Sequence, residues 1–260
     1  YIGGFLADGD QDLDFTTASK SWDNIGAKVG LDWHATDDML LYAYYARGFK
    51  SGGFVGRIII PQDIGPYNPE HVDTIEAGIK SDWLDNRLRV NVSAFRNWYH
   101  DLQLALIYFA KDPNGNTVNG NSILNAAQAI TQGFELEVET VPVDGLTISG
   151  SLAYLDAHYT EFPYLDPVTG TTTDLSGNRL QNAPKWNATI GFRYQFTAGP
   201  GEASVGMQYK YVSSKYNTSL LNTPRALIQA TNIVDANVDW TPDNGRWSVG
   251  LYGRNLFDKH

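Results

Sequence analysis

Ile25-Gly26-Ala27-Lys28-Val29-Gly30-Leu31-Asp32-Trp33, a break at Ala35-Thr36-Asp37-Asp38, then Met39-Leu40-Leu41-Tyr42-Ala43-Tyr44-Tyr45-Ala46-Arg47: the reading of this stretch decides the fold. In its first half Ile25, Ala27, Val29, Leu31 and Trp33 alternate with Gly26, Lys28, Gly30 and Asp32. Successive side chains on a β-strand point to opposite faces, so strict alternation predicts a strand with one apolar and one polar face. The break is short enough for a tight turn, and the chain then resumes as a second, less regular strand.

Working outward, the same period of two recurs along the chain. Ile75, Ala77, Ile79 and Trp83 alternate with Glu76, Gly78, Lys80 and Asp82, and Phe134, Leu136 and Val138 alternate with Glu135, Glu137 and Glu139. It returns over 146–154, 188–196, 203–211, 234–240 and 247–253, and more loosely over 88–98. That last segment slips parity near Phe95 and Arg96, which predicts either a bulge or an exit from the apolar zone. The reading is all-β, with about ten strands and no helix of consequence.

The connections alternate in length. Short ones fall at 35–38, 84–86, 142–145, 197–201 and 241–246, and long ones at 48–68, 107–121, 158–184 and 213–227. A soluble sandwich has no reason to gather its short turns at one end of the strands. An antiparallel transmembrane β-barrel does, with short turns toward the periplasm and long loops outside. The tryptophans agree. Trp33, Trp83, Trp240 and Trp247 lie near short turns, and Trp22, Trp98 and Trp186 lie toward long loops. Two aromatic girdles at the membrane interfaces need this placement, because indole has an apolar body and a polar N–H. The polar parity, predicted to face the lumen, carries Glu76, Lys80, Glu135, Glu137, Glu139, Arg193, Lys210 and Arg254 among many glycines. In a soluble protein those residues would simply form the wet face.

Composition narrows the function. A net charge of -10 argues against a nucleic-acid partner, since phosphate binding needs clustered cations. No cysteine is present, which removes thiolate metal sites and thiol nucleophiles. The five histidines have no ligand-like spacing, and no metal site is expected. The sequence contains no H-E-x-x-H, G-x-S-x-G or G-x-x-x-x-G-K-[ST], so no catalytic residue is assigned and the protein is not expected to be an enzyme. Asp112-Pro113-Asn114-Gly115-Asn116 lacks the spacing and terminal Glu of a calcium loop and is read as a turn cluster. No apolar run approaches the roughly 18 residues of a spanning helix, a statement that leaves barrel strands untouched.

Several segments are informative beyond their periodicity. They are Leu41-Tyr42-Ala43-Tyr44-Tyr45-Ala46-Arg47-Gly48-Phe49-Lys50-Ser51-Gly52-Gly53-Phe54, then Tyr67-Asn68-Pro69-Glu70 leading to Glu76-Ala77-Gly78-Ile79-Lys80. Ala94-Phe95, Asp101-Leu102-Gln103 and Gly133-Phe134-Glu135-Leu136-Glu137 follow. Leu175-Ser176-Gly177-Asn178-Arg179-Leu180-Gln181-Asn182-Ala183-Pro184-Lys185-Trp186 is the sharpest, and Asn255-Leu256-Phe257-Asp258 comes last. In this order, over most of the chain, these segments resemble those of TonB-dependent outer-membrane receptors, particularly those for siderophores. The resemblance implies a barrel of about 22 strands around an N-terminal plug. Residues 1–260 would form one partial barrel domain, with the plug and the final strand outside it. It further implies a Gram-negative outer-membrane location among lipid, and no resident cofactor. The small-molecule ligand would be a ferric siderophore, imported with energy from the TonB–ExbB–ExbD complex through the plug. Vitamin B12, haem, oligosaccharides and plant-derived aromatics are other substrate classes.

Long loops carry function, so their aromatic and cationic residues are the candidate ligand contacts: Phe49, Arg57, Tyr67, Tyr108, Phe109, Tyr159, Phe162, Tyr164 and Tyr216. Packing within the loops is the competing use of the same rings. The acidic ladder of Glu135, Glu137 and Glu139 reads either as a lumenal stripe that guides a cation or meets plug arginines, or as a solvated strand face. Two alternatives to the receptor stand: a passive porin or translocator barrel, and a soluble β-rich carbohydrate-binding protein.

Overall fold

The computed structural model describes residues 19–55, 65–111, 117–166, 170–217 and 220–259. In chain order its strands are β1 (Ala27–Thr36), β2 (Met39–Lys50), β3 (Glu70–Trp83), β4 (Leu88–Lys111), β5 (Thr117–Val143), β6 (Leu146–Glu161) and β7 (Pro163–Leu165). They continue as β8 (Thr172–Asp174), β9 (Trp186–Thr197), β10 (Gly201–Val212), β11 (Lys215–Tyr216), β12 (Leu227–Ile228), β13 (Thr231–Pro242) and β14 (Val249–Gly253). Ten of them form a single antiparallel sheet in the order β1-β2-β3-β4-β5-β6-β9-β10-β13-β14. β7–β8 and β11–β12 are small hairpins inside the connections. The large sheet is therefore a meander of up-and-down neighbours, and among the described residues it is open, with β1 and β14 each paired on one side.

The register carries the alternation across the whole sheet. Leu31, Ala43, Ala77, Ala94, Phe134, Tyr154 and Trp186 stand opposite one another in turn on one face. Leu40, Lys80, Asn91, Glu137, Ser151, Thr189, Lys210 and Ile233 do so on the other. The apolar face is not buried: Leu31 is 72% exposed, Ile190 56% and Leu251 75%. A water-soluble protein rarely leaves a contiguous apolar patch above a few hundred Å² uncovered, and here it spans ten strands. Lipid is the solvent that such a face requires. The short turns are built for reversal. Leu84, Asp85 and Asn86 have φ of 56, 55 and 65°, and Gly145 sits at φ 82° where a Cβ would strike the Gln195 carbonyl oxygen.

Several expectations are corrected. The register between β3 and β4 is continuous from His71↔His100 to Trp83↔Leu88, so no bulge lies at Phe95 and Arg96. Arg96 is on the apolar parity but beyond the apolar band, which is why the pattern looked broken. The irregularity comes later, between Tyr99 and Leu104, where Asp101 has φ 54°. Residues 107–121 were expected as a connection, yet β4 and β5 run to Lys111 and from Thr117. Their 24 and 27 residues are more than double the roughly 10 that cross a membrane. Outside lipid a strand needs no apolar face, so this part of the hairpin carries no alternation to read. At the end of the chain, Trp247 lies before β14 rather than on it. Trp22 lies before β1, its ring 6.3 Å from that of Phe54 in the connection after β2, so it packs within that segment.

A packed core does exist, but not beneath the sheet. It sits at the long-loop end on the polar side. There Tyr99, Ala129 and Tyr159 occupy one register row and are joined by Phe162, Leu175 and Leu220 from the connections.

Candidate functional site

Two adjoining parts make up the site: the polar wall of the sheet and the loop core above it. On the wall Tyr44 stands opposite Glu76, and the hydroxyls of Tyr44 and Tyr42 each donate to the Glu76 carboxylate at 2.8 Å. Tyr42 can lean across because its opposite residue is Gly78, where any Cβ would come within 2.7 Å of the Tyr42 ring. Lys28 Nζ lies 3.9 Å from the centre of the Tyr44 ring, and Lys80 Nζ lies 5.8 Å from that of Tyr42. The cations thus sit on the ring faces while the carboxylate accepts hydrogen bonds from the phenols, and each group holds the next. A groove of about 570 Å³ runs along this cluster to Asn91, Asn97, Glu135 and Glu137. Beside it, Thr74 donates to Asn97 and Asn97 to Thr131, both at 2.8 Å. Farther round, Arg89 pairs with Asp82 at 2.7 Å and Lys210 with Asp235 at 3.8 Å, while Arg193 donates to Ser204 at 3.2 Å. Arg193 and Arg254 share a second groove of about 330 Å³ with Asp235, Asn237 and Tyr252.

Above the wall the sequence 175–186 serves as a brace. The Gly177 N–H donates to the Tyr159 carbonyl at 2.8 Å, and the Leu175 N–H donates to that of Phe162 at 2.8 Å. Asn178 Nδ2 donates to the Leu220 carbonyl at 3.0 Å. Arg179 and Asn222 exchange two hydrogen bonds of 2.7 and 3.0 Å. The Arg179 guanidinium also donates to the carbonyls of Ala183 and Ser214 at 2.9 and 3.0 Å, and lies 5.7 Å from the Tyr216 ring centre. A planar guanidinium fork can thus bond its own segment and the connection after β10 at once while lying near an aromatic ring, a geometry that a lysine ammonium does not reproduce. At the brace's start Asp174 accepts from the Ser176 hydroxyl and amide, and these bonds hold its carboxyl below the usual carboxylate range. Burial, with Asp166 nearby, pushes the Tyr164 phenol up.

The connection after β2 is stapled to the long hairpin. Gln103 Nε2 donates to the Ser51 and Asn68 carbonyls at 2.9 and 3.0 Å, and its amide donates to Glu70 at 2.8 Å. Asn125 Nδ2 donates to Asn68 and Asp101 carbonyls at 2.8 and 2.9 Å.

The structure separates the residues named from sequence as ligand contacts. Tyr159 and Phe162 are 1% and 0% exposed, their rings 4.8 Å apart, so they are the floor of the loop core and present no face to a ligand. Phe49 remains in β2 opposite His71, on the apolar parity, directed away from the polar wall. Tyr67 pairs with Gly53, Tyr164 packs edge-on to Phe162, Tyr216 lies under Arg179, and Phe109 is 63% exposed on β4. Arg57 and the side chain of Tyr108 lie outside the described residues, as does the turn cluster 112–116. Glu76, Lys80, Glu135, Glu137, Glu139, Arg193 and Lys210 all lie on the polar face of the sheet. The Tyr42–Glu76–Tyr44 cluster was not singled out from sequence. The signal was present in the even parity of both tyrosines, but it becomes chemistry only once β2 and β3 are paired.

The sequence profile of the family described as "TonB dependent receptor-like, beta-barrel" matches residues 4–256. The metal-pseudopaline receptor of Pseudomonas aeruginosa is 27% identical over 236 residues, covering 89% of this chain and 29% of that protein. The ferric-pyoverdine M114 receptor of a Pseudomonas species is 23% identical over 243 residues, covering 94% and 27%. The chain thus spans less than a third of the length of these relatives. Among solved structures, the ferric yersiniabactin uptake receptor of Yersinia pestis superposes with a TM-score of 0.71 at 19% identity, over 89% of this chain and 32% of that one. The siderophore receptor PiuA of Acinetobacter baumannii gives 0.67 at 25% identity, over 89% and 31%.

Proposed function

This chain belongs to the TonB-dependent receptor-like β-barrel family, and from that premise we propose that it walls a receptor importing a ferric siderophore across a Gram-negative outer membrane. Energy is delivered by the TonB–ExbB–ExbD complex, acting through parts of the receptor that lie outside this chain. The protein binds and passes its ligand, and does no chemistry on it. The observation that carries this reading is the loop core. The connections over 158–184 and 213–227 are hydrogen-bonded together and packed on the β4–β5 hairpin on the polar side of the sheet, as a binding mouth requires and a free diffusive pore does not. The named relatives that bind metal-pseudopaline and ferric-pyoverdine support a metal chelate as ligand.

The ligand contacts of this reading are Tyr67, Phe109, Tyr164 and Tyr216, together with Arg57 and Tyr108 from the sequence. Aromatic faces suit stacking on a chelate, and a guanidinium suits its anionic oxygens. Phe49, Tyr159 and Phe162 drop out of the set for the positions described above. The ligand then descends along the wall at Glu76, Tyr42 and Tyr44, whose hydrogen-bonding groups are already mutually satisfied and so hold a passing chelate only weakly. The test is uptake of ferric siderophores by cells carrying the intact receptor, with and without the energy-coupling protein. Coupling-dependent iron uptake is the expected result. Uptake indifferent to coupling marks a passive pore and overturns the reading.

A further inference from the structure

Tyrosines that donate to an acceptor across the sheet recur in this structure, and one cluster differs from the rest. Tyr45 donates to Asp73, Tyr252 to Asp239 and Tyr209 to Asn232, one phenol to one acceptor group each. Among the described residues Glu76 alone takes two, Tyr42 on one carboxylate oxygen and Tyr44 on the other, both at 2.8 Å. No lysine or arginine is ion-paired to that carboxylate among the described residues, since Lys28 and Lys80 lie against the tyrosine rings instead. Strand pairing creates the cluster. Tyr42 and Tyr44 are two apart on β2 and so share the polar face, and Tyr44 stands opposite Glu76 while Tyr42 stands opposite Gly78. Four oxygens therefore gather at one spot of the wall, in the groove of about 570 Å³ that also holds Glu135 and Glu137.

Those oxygens are hard donors, and their spacing suits a small octahedral cation. An oxygen-to-oxygen distance of 2.8 Å is the cis edge of an octahedron whose metal–oxygen bonds are about 2.0 Å long. Exchanging the phenolic protons for one metal ion thus keeps a spacing that is already present. A phenol holds its proton at neutral pH, so a weakly polarising divalent ion does not displace it, whereas a trivalent ion with affinity for phenolate does. Ferric iron has that affinity, as its ligation by tyrosine in haem proteins shows. Two phenolates and one carboxylate also neutralise its three charges. No three His, Cys, Asp or Glu side chains gather as metal ligands among the described residues, and here tyrosines supply the missing donors.

We propose that Tyr42, Tyr44 and Glu76 form a ferric-ion site on the polar wall, which takes iron that a chelator does not fully enclose. Both Glu76 oxygens and both phenolate oxygens bind the ion, and one proton leaves each phenol for solvent. Water or one bidentate oxygen chelator fills the remaining positions of the octahedron. A ferric siderophore whose own donors occupy every position offers the phenols no opening, and it passes the cluster held only weakly. The site depends on the pairing of β2 with β3 and not on the identity of the cargo, so its failure leaves the import reading standing.

The experiment uses the intact receptor, purified in detergent without siderophore and titrated at neutral pH with ferric nitrilotriacetate, a chelate that leaves positions on the iron open. Unbound metal is removed by gel filtration, and retained iron is measured together with the visible spectrum. Wild type should retain iron, show a phenolate-to-iron charge-transfer band and acidify a weakly buffered solution as it loads. Tyr42→Phe/Tyr44→Phe should lose the band. Each single phenylalanine variant, and Glu76→Gln, should bind about tenfold more weakly or worse, the least that losing even an outer-shell partner costs a metal site. Tyr252→Phe removes a phenol from a wall carboxylate that has only one, and should load as wild type does. Excess magnesium should neither release protons nor compete. Heat-modifiable migration reports that every variant is folded. Failure of wild type to retain iron, iron retained without the band, or a band that survives in the double phenylalanine variant would overturn the proposal.

Discussion

Glu76 concentrates the residue-scale physics of this wall, because its carboxylate accepts the hydroxyl hydrogen bonds of Tyr42 and Tyr44 while Lys28 and Lys80 lie against the two rings. Replacing Glu76 with Gln keeps the shape but turns two charge-assisted hydrogen bonds into neutral ones, only one of which an amide carbonyl can readily accept. The intact receptor should lose about 1–3 kcal/mol, read from its urea unfolding midpoint in a bilayer. No change would mean that the cluster is held by packing alone. Gly78→Ala should act in the same direction, since the added methyl meets the Tyr42 ring. A second prediction concerns Phe162. Its truncation to Ala empties a fully buried position and should cost about 3–5 kcal/mol locally. Limited proteolysis within 158–184 should rise sharply, while the strands stay resistant. Tyr164→Ala should instead cost ligand affinity with little change in proteolysis. Sequence could not separate these two rings, both aromatic residues in one long connection. Leu220, which shares the core with Phe162, comes from another connection, and no local pattern announces its arrival.

Elements were legible where lipid or a buried face imposes alternation, and illegible where it does not. β1, β3, β9 and β10 follow the period of two closely because one side of each must be apolar. Beyond Tyr99 the β4–β5 hairpin packs on the loop core through Leu102, Leu104 and Leu124 and has no lipid to impose a period of two, so it reads as a loop. The brace over 175–186 was conspicuous by resemblance, but its use of Arg179 and Asn178 to bind neighbouring connections is visible only in three dimensions. Gln103→Ala with Asn125→Ala should release the connection after β2 from this hairpin. The expected signature is faster hydrogen exchange at Tyr67 and Gly53, with the unfolding midpoint of the barrel unmoved. An unchanged exchange rate would show that the staple is redundant. Asp174 supplies a pH dependence at the same scale. Its carboxyl is held low by Ser176, so its contribution is present above the ordinary carboxylate pKa of 3.8 and is lost as pH falls through the lowered value. Exchange of the Ser176 amide should therefore accelerate in acid relative to neighbouring amides, and Asp174→Ala should show the faster rate at every pH.

At the scale of the whole molecule the decisive fact is a ten-stranded sheet with one face apolar and exposed, and with edges at β1 and β14 that lack partners among the described residues. Lipid satisfies the face but not the edges, because unpaired backbone N–H and C=O groups cost several kcal/mol each in hydrocarbon. Expressed by itself, residues 1–260 should fail to give a heat-modifiable, protease-resistant monomer in detergent, whereas the intact receptor should give one. The central claim is that the two faces of this sheet meet lipid and an aqueous lumen, and the natural lack of cysteine makes it directly measurable in this part of the receptor. Single substitutions Ala188→Cys through Gln195→Cys along β9 are introduced into the intact receptor in outer membranes. Each is treated with a water-soluble maleimide and, separately, examined with a lipid-confined quencher after labelling with a small fluorophore. The account predicts a period of two. Cysteines at 189, 191, 193 and 195 should react from water, and labels at 188, 190, 192 and 194 should be quenched from lipid. Equal aqueous reactivity at all eight positions, with no quenching from lipid, would contradict it.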